Sequence, residues 1–245
     1  MSLLFPKGVL PLPGLVGPGR GLARFVPANG LLTRINAFRG SVVGGSGSGI
    51  TYSNAPLGAT IGTRVIYAVH SFFDGSSTSG PDTASVTIGG NAATLLGSVY
   101  LPSATTSGVG LWAYEDGGSL GATADVVVTD GTLRNSRSVG ILTGQGSGIS
   151  VLDTASEANL SGSIAGDTLN TAGADCLLYV CSTQNGADVS ANAPFTDGGA
   201  TYDENTDDWV TIGWSNDPSG NIESVNLPTG HTSLRAAYVG LALAS

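Results

Sequence analysis

The sequence predicts an all-β protein: an antiparallel β-sandwich or jelly roll preceded by an extended N-terminal arm. Glycine occurs 38 times in 245 residues, and charged residues make up only 11% of the chain. Glycine adopts positive φ at little steric cost, so its abundance indicates many tight turns. Between the turn residues lie short apolar segments with almost no helical periodicity. Their number and spacing are typical of sandwiches and jelly rolls.

Ten segments of the chain have the composition of strands. The first, RVIYAVHSFF, is rich in β-branched and aromatic residues. The Gly89-Gly90 pair predicts a tight hairpin. The alanine-rich last segment is compatible with a helix, but its small residues and Tyr238-Val239 favour a central strand. A long polar loop with one helical turn at SEANL is expected over 154–174. The predicted strands are 64–73, 84–88, 91–96, 109–115, 122–130, 138–143, 148–153, 175–182, 207–215 and 234–244.

An N-terminal arm is predicted over residues 1–43. Proline and glycine recur every few residues through Pro27, which excludes a helix and the centre of a sheet. The arm carries many apolar side chains, which a solvated linker would leave exposed to water. We expect it to be buried against a partner subunit; the alternative is an arm that wraps its own domain. The residues expected to bind the partner are Leu4, Phe5, Leu10, Leu12, Leu15, Phe25, Leu31 and Phe38.

The domain boundary is predicted at the sequence GGSGSG, residues 44–49. Glycine and serine in alternation are typical of a flexible linker. The β-sandwich domain is therefore expected over residues 50–245. Residues 28–38, ahead of the linker, are compatible with one short helix or strand.

Charge is distributed unevenly along the chain. The first acidic residue is Asp74. Residues 1–73 therefore have a net charge of +6 and residues 74–245 a net charge of −15, which sum to −9. An acidic body does not attract phosphate groups, and the basic residues of the arm are dispersed. The asymmetry therefore favours docking of the arm on a protein partner over nucleic-acid binding.

The two cysteines are expected to be small buried hydrophobic residues. Cys176 and Cys181 lie five positions apart in one predicted strand, so they point to opposite faces and cannot form a disulfide within it. This usage is typical of a reducing compartment. No stretch approaches the roughly 18 apolar residues of a membrane helix. We expect synthesis in a cytoplasm and no membrane association.

The residues that carry catalysis are scarce. The two histidines, His70 and His231, lie in no metal-binding or catalytic motif. Residues 117–121 match G-x-S-x-G, but a hydrolase elbow needs a helix after the serine, and a predicted strand follows. The single lysine leaves no phosphate-binding loop. The sequence therefore predicts a protein that is not an enzyme.

An acidic cluster before the strand segment 209–215 is the best metal candidate. Calcium takes several oxygen ligands from flexible loops, although EF-hand spacing is missing here. A solvated acidic loop is the alternative, and no other cofactor is expected. The candidate calcium ligands are Asp203, Glu204, Asp207 and Asp208.

The segments ASVTIGGNAATLL, VGLWAYE and GATADVVVT resemble a pattern in virion proteins of tailed bacteriophages and prophages, of the β-sandwich kind. The resemblance covers roughly residues 60–145. It implies a head or tail fibre, spike or decoration protein that resides in the virion and has no catalytic residues. We expect other virion proteins as partners of the arm and a homo-oligomer, a trimer for a fibre or spike. A carbohydrate-binding module that recognises a host glycan, with Tyr202 beside Asp203, is the alternative.

Overall fold

The computed structural model describes residues 34–44, 47–59, 62–74, 80, 84–101, 106–134, 136–146, 148–159, 167–184, 196–203, 208–218, 222–225 and 235–244. These residues form antiparallel β-sheets and contain no helix, so no membrane-spanning helix occurs among them either. The prediction of an all-β protein is confirmed. The strands are β1 (Arg34–Gly44), β2 (Gly47–Pro56), β3 (Arg64–Asp74), β4 (Ser85–Ile88), β5 (Asn91–Ala92), β6 (Thr94–Leu101), β7 (Thr106–Asp116), β8 (Thr123–Arg134), β9 (Ser136–Gln145), β10 (Ser150–Asn159), β11 (Asp167–Asn170), β12 (Cys176–Gln184), β13 (Thr196–Asp203), β14 (Asp208–Ser215), β15 (Ile222–Val225) and β16 (Arg235–Ala244).

The described strands belong to four sheets. Sheet A has the order β1-β9-β3-β7-β6, and sheet B has the order β2-β8-β4-β5. Sheet C has the order β10-β16-β12-β14-β13, and sheet D pairs β11 with β15. The chain therefore builds sheets A and B from its first nine strands and sheets C and D from the remainder.

Strand pairing in sheets A and B is nested. β1 pairs with β9, β2 with β8, β3 with β7, and β4 with β5, all antiparallel. Successive pairs alternate between sheet A and sheet B. The chain thus folds back on itself at the β4–β5 turn, and each outer pair encloses the next.

Sheet A is buried on both faces. Val65, Tyr67 and Val69 of β3 join an apolar cluster with sheet C, while Ile66 and Ala68 join a second cluster with sheet B. A strand alternates its side chains between the two faces, so a strand with both faces covered has a continuous apolar sequence. This is why RVIYAVHSFF lacks polar alternation. A third cluster lies between sheets C and D.

Two local predictions are confirmed. Gly89 and Gly90 have φ of 58° and 81° and join β4 to β5 with Ile88 opposite Asn91. A two-residue hairpin turn needs positive φ at both positions, which glycine supplies. The last segment forms β16, a central strand between β10 and β12.

The predicted boundary at residues 44–49 is wrong. Gly44 ends β1 and Gly47 begins β2, and both strands belong to the compact unit Leu31–Ser245. Gly44, Gly47 and Gly49 lie within strands because β1 pairs with β9 and β2 with β8. Phe38, assigned above to partner binding, is half-buried against the core of its own chain. The other seven arm residues lie outside the described residues.

The helical turn predicted at SEANL is also wrong. β10 extends through Asn159 because its backbone pairs with β16, with Ser156 opposite Val239 and Asn159 opposite Ala236. Part of the predicted loop 154–174 is a further strand, β11, which pairs with β15. Pairing with distant strands decides the conformation of this polar segment, and local sequence carries little signal for it.

Candidate functional site

A buried charged cluster lies between sheets A and B, formed by His70, Asp130 and Arg137. Arg137 Nε donates to Asp130 Oδ2 at 3.1 Å, and His70 Nε2 lies 3.7 Å from the same oxygen. All three side chains are fully buried. The imidazole also contacts the rings of Phe72 and Trp112, with centroids 5.8 and 5.9 Å away. The cluster joins β3, β8 and β9.

Strand register explains why these side chains meet. β9 pairs with β3 so that Arg137 lies opposite Phe72 and Val139 opposite His70, which places Arg137 and His70 on one face of sheet A. The neighbouring hydroxyls of Ser71 and Ser138 therefore point to the other face, where they bond to each other at 2.8 Å. The His–Asp pair thus has no serine from these two positions to activate. The arrangement is chemically a cross-link between two sheets.

A second buried polar centre is formed by Arg64 of β3. Its Nε donates to Asp116 Oδ2 at 2.9 Å. Its Nη1 donates to the carbonyl oxygens of Leu57 and Gly58, and its Nη2 to those of Leu120 and Gly121. The planar guanidinium has five N–H donors, and these five contacts use them all. Arg64 thereby fixes the segment after β2 and the segment before β8 to the end of sheet A.

Asp116 organises the loop that matches G-x-S-x-G. Its Oδ1 accepts hydrogen bonds from the backbone N–H groups of Gly118, Ser119 and Leu120 and from the Ser119 hydroxyl. Ser119 is exposed, and strand β8 follows the loop where a hydrolase elbow would have a helix. Burial alone would raise the pKa of the Asp116 carboxyl. The hydrogen bonds from Leu120, Ser119 and Arg64 outweigh burial and hold the pKa below its ordinary value.

We expect Asp116→Asn to lower the free energy of unfolding by about 1.5–3 kcal/mol at pH 7, since it weakens hydrogen bonds to a charged group. A carboxyl whose pKa is lower in the folded than in the unfolded protein stabilises the folded state. This stabilisation is complete above the unfolded-state pKa of about 3.9 and is lost as the pH falls through the folded-state pKa. The difference between the two proteins should therefore shrink below about pH 4. Urea titrations at pH 7, 5 and 3 measure it, and a difference that stays constant would contradict the assignment.

Other reactive groups lie in the apolar clusters. Cys176 and Cys181 are buried free thiols in different clusters, on opposite faces of sheet C, as predicted. Burial raises the pKa of Cys181 to about 12. Burial, with smaller contributions from Cys176 and Glu115, raises the pKa of Tyr67 well above its ordinary value. The Cys181 thiol and the Tyr67 hydroxyl therefore stay protonated at neutral pH.

A surface groove lies where β6 begins beside β7. Its volume is about 300 Å³, and its lining includes Thr94, Leu96, Ala113, Glu115 and Ile149. β6 first pairs with β7 at Thr94 opposite Ala113, while β7 continues along β3 to Asp116. The groove therefore exposes a short length of unpaired edge of sheet A, flanked by apolar side chains and by the exposed Glu115.

Two of the four calcium candidates lie within the described strands β13 and β14. Asp203 and Asp208 are opposite each other at the end of the strand pair, while Glu204 and Asp207 lie outside the described residues. Within the described part of the chain, no group of three or more acidic, histidine or cysteine side chains is arranged to hold a metal ion. The calcium site stays a prediction.

No family model, curated protein or solved structure matches this chain. Its function must therefore be inferred from its own geometry.

Sequence reasoning singled out His70 but missed its partners Asp130 and Arg137, and it missed the Arg64–Asp116 pair. A signal for Arg64 exists: it directly precedes a continuous apolar strand, and a buried guanidinium requires a buried acceptor. Which acid would provide that acceptor depends on register between strands 52 residues apart.

Proposed function

We propose that this chain is a non-enzymatic structural protein of a tailed-bacteriophage virion. Its N-terminal segment anchors it in the capsid or tail, and its β body is displayed as a fibre, spike or decoration protein. The observation that carries the proposal is a division of charge. Ahead of the compact unit, residues 1–30 contain the basic residues Lys7, Arg20 and Arg24 and no acid, so their net charge is +3. Residues 31–245 have a net charge of −12, which brings the whole chain to −9.

The buried charges of the body support a structural role. The buried Arg64 donates to Asp116 and to backbone carbonyls, and the buried Arg137 donates to Asp130. Such pairs fix the mutual position of sheets, and catalysis needs charged groups that reach a substrate. A rigid body with an apolar, basic extension suits a component that is docked at one end and displayed at the other.

We further propose that sheets A and B form a jelly-roll sandwich. In an eight-stranded jelly roll the first strand pairs with the last, and successive pairs alternate between two sheets. The nested pairs of this chain follow that order if β5 and β6 are counted as one strand that passes from sheet B to sheet A at Ala93. Jelly rolls occur in viral capsid and lectin domains, so the architecture supports the virion role by analogy.

Removal of residues 1–30 tests the anchor. In cells that produce the particle, we expect the truncated protein to fold but its abundance in purified particles to fall at least 10-fold, measured by quantitative mass spectrometry. The exposed substitution Ser53→Ala on sheet B serves as the matched control and should incorporate normally. Normal incorporation of the truncated protein would refute the anchor. Failure of the full chain to sediment with any particle would refute the virion role.

A glycan-binding module is the second candidate function. The proposed jelly roll favours it, since lectin domains share that architecture. Tyr202 and Asp203 lie at the end of β13, at the edge of sheet C. A glycan array probed with the full chain, with calcium and with a chelator, tests both the glycan and the calcium proposals. Lack of binding under both conditions would count against the module.

A further inference from the structure

The groove beside β6 has the geometry of a site for an added strand. β7 pairs with β3 through Tyr114, Glu115 and Asp116, but its pairing with β6 reaches only Ala113. In an antiparallel strand, alternate residues direct their N–H and C=O groups to opposite sides. Part of this short edge therefore presents backbone groups toward the groove, where an extended peptide could pair with them.

The lining of the groove selects the chemistry of that peptide. Leu96, Ala113 and Ile149 provide apolar surface, and the exposed Glu115 provides the charge. Among the described residues that line the groove, Glu115 alone is charged. The complementary ligand is an extended apolar segment that carries a lysine or arginine and no acid.

The described surface offers few cations to neutralise its acids. Arg64 and Arg137 are buried in ion pairs, and Arg39 donates to Thr143 Oγ1. The chain itself contains a segment with the required chemistry. Residues 1–30 are apolar, have formal charge +3 and contain no acidic residue.

The topology of sheet A places the start of β1, where this segment joins the sheet, at the edge opposite the groove. β1 and β6 are the two opposite edges of the five-stranded sheet, about 19 Å apart at the usual strand spacing. Residue 30 precedes β1 by only four positions. When two copies lie side by side, the β1 edge of one meets the β6 edge of the next. Such a head-to-tail contact can close into a ring, as the predicted trimer requires.

We propose that the groove at the start of β6 binds residues 1–30 of a second copy of the chain as an added strand, with a basic side chain against Glu115. The proposal rests on the proposed function, because it names the receptor of the anchoring segment within a homo-oligomer. Copies in the assembled particle would thus be linked to one another.

Charge reversal in the full-length chain tests the proposal. We expect Glu115→Arg to weaken self-association at least 10-fold in sedimentation velocity, and Lys7→Glu/Arg20→Glu/Arg24→Glu to do the same. Asp125→Arg makes the same charge change at an exposed residue of β8 in sheet B, outside the groove and outside both edges of sheet A, and should leave association unchanged. Far-UV circular dichroism and thermal unfolding verify that each variant is folded.

Mixing the two defective variants gives the decisive result. The native N-terminal segment of Glu115→Arg should bind the native groove of the triple variant, and the reversed, acidic segment of the triple variant should pair with the reversed groove of Glu115→Arg, so the mixture should regain the association that each variant lacks alone. A folded Glu115→Arg that assembles like the native chain would overturn the proposal. So would a monomeric native chain, including one whose N-terminal segment cross-links to its own groove. The particle test with residues 1–30 removed is independent: if it succeeds while Glu115→Arg has no effect, the anchor stands and this receptor does not.

Discussion

Arg137→Leu should lower the free energy of unfolding by about 3–5 kcal/mol at pH 7, because it leaves the Asp130 carboxylate buried beside His70 without its principal cation. The Arg137 side chain is fully buried and its Nε lies 3.1 Å from Asp130 Oδ2. Leucine cannot replace that charge, and water cannot reach the carboxylate between sheets A and B. Urea unfolding followed by tryptophan fluorescence measures the loss.

The double variant Asp130→Leu/Arg137→Leu is the matched control. It removes both charges, so we expect it to be clearly more stable than Arg137→Leu despite carrying one more substitution. If the single variant unfolds within about 1 kcal/mol of the native chain, the cluster is not an energetic cross-link between the sheets.

Removal of residues 1–44 should abolish cooperative folding, whereas removal of residues 1–30 should not. The longer deletion removes β1, with the buried Ile35, and exposes the edge of β9 that pairs with it. Loss of a buried isoleucine side chain alone costs about 2–5 kcal/mol, a large part of a total stability of about 5–15 kcal/mol. The Asn216 side chain also accepts from Ile35 N at 2.9 Å and donates to Ile35 O at 2.6 Å.

Thermal unfolding and gel filtration compare the two truncations. We expect a single cooperative transition for the chain that starts at Leu31, with a midpoint close to that of the full chain. The chain that starts at Gly45 should aggregate or unfold without cooperativity. A cooperative transition at the native midpoint for that shorter chain would mean that β1 is dispensable. It would support the predicted domain boundary at residues 44–49.

Strands that are buried on both faces or end in strong turns could be predicted from sequence. β3 is continuous in apolar residues because sheets B and C cover its two faces, and Gly89-Gly90 marks the turn between β4 and β5. β1 and β2 could not be predicted, since their glycines are equally typical of a linker. Only pairing with β9 and β8, about a hundred and about eighty residues away along the chain, makes them strands.

The two buried polar centres were harder to predict from sequence than the strands. Ser71 and His70 are adjacent in sequence, yet they face different sheets, and their partners come from other strands. Arg64 meets Asp116 only through the register of β3 with β7, in which the two residues are directly opposite. Local sequence contains each charged residue but not the register that pairs them. The groove follows from the difference in length between β6 and β7 and leaves no mark in composition.

The nested order of sheets A and B has a consequence for biosynthesis. Arg34 at the start of β1 pairs with Gln145 at the end of β9, so the outermost strand is among the first to be made and the last to find its partner. At about 5–20 residues per second, the ribosome needs roughly 6–22 s to synthesise the 111 residues from Ile35 to Gln145. During that interval β1 has no ladder to join, and contacts of such long sequence separation form slowly even in the complete chain. The local hairpins β4–β5 and β6–β7 can form early, and the sheets grow outward from them.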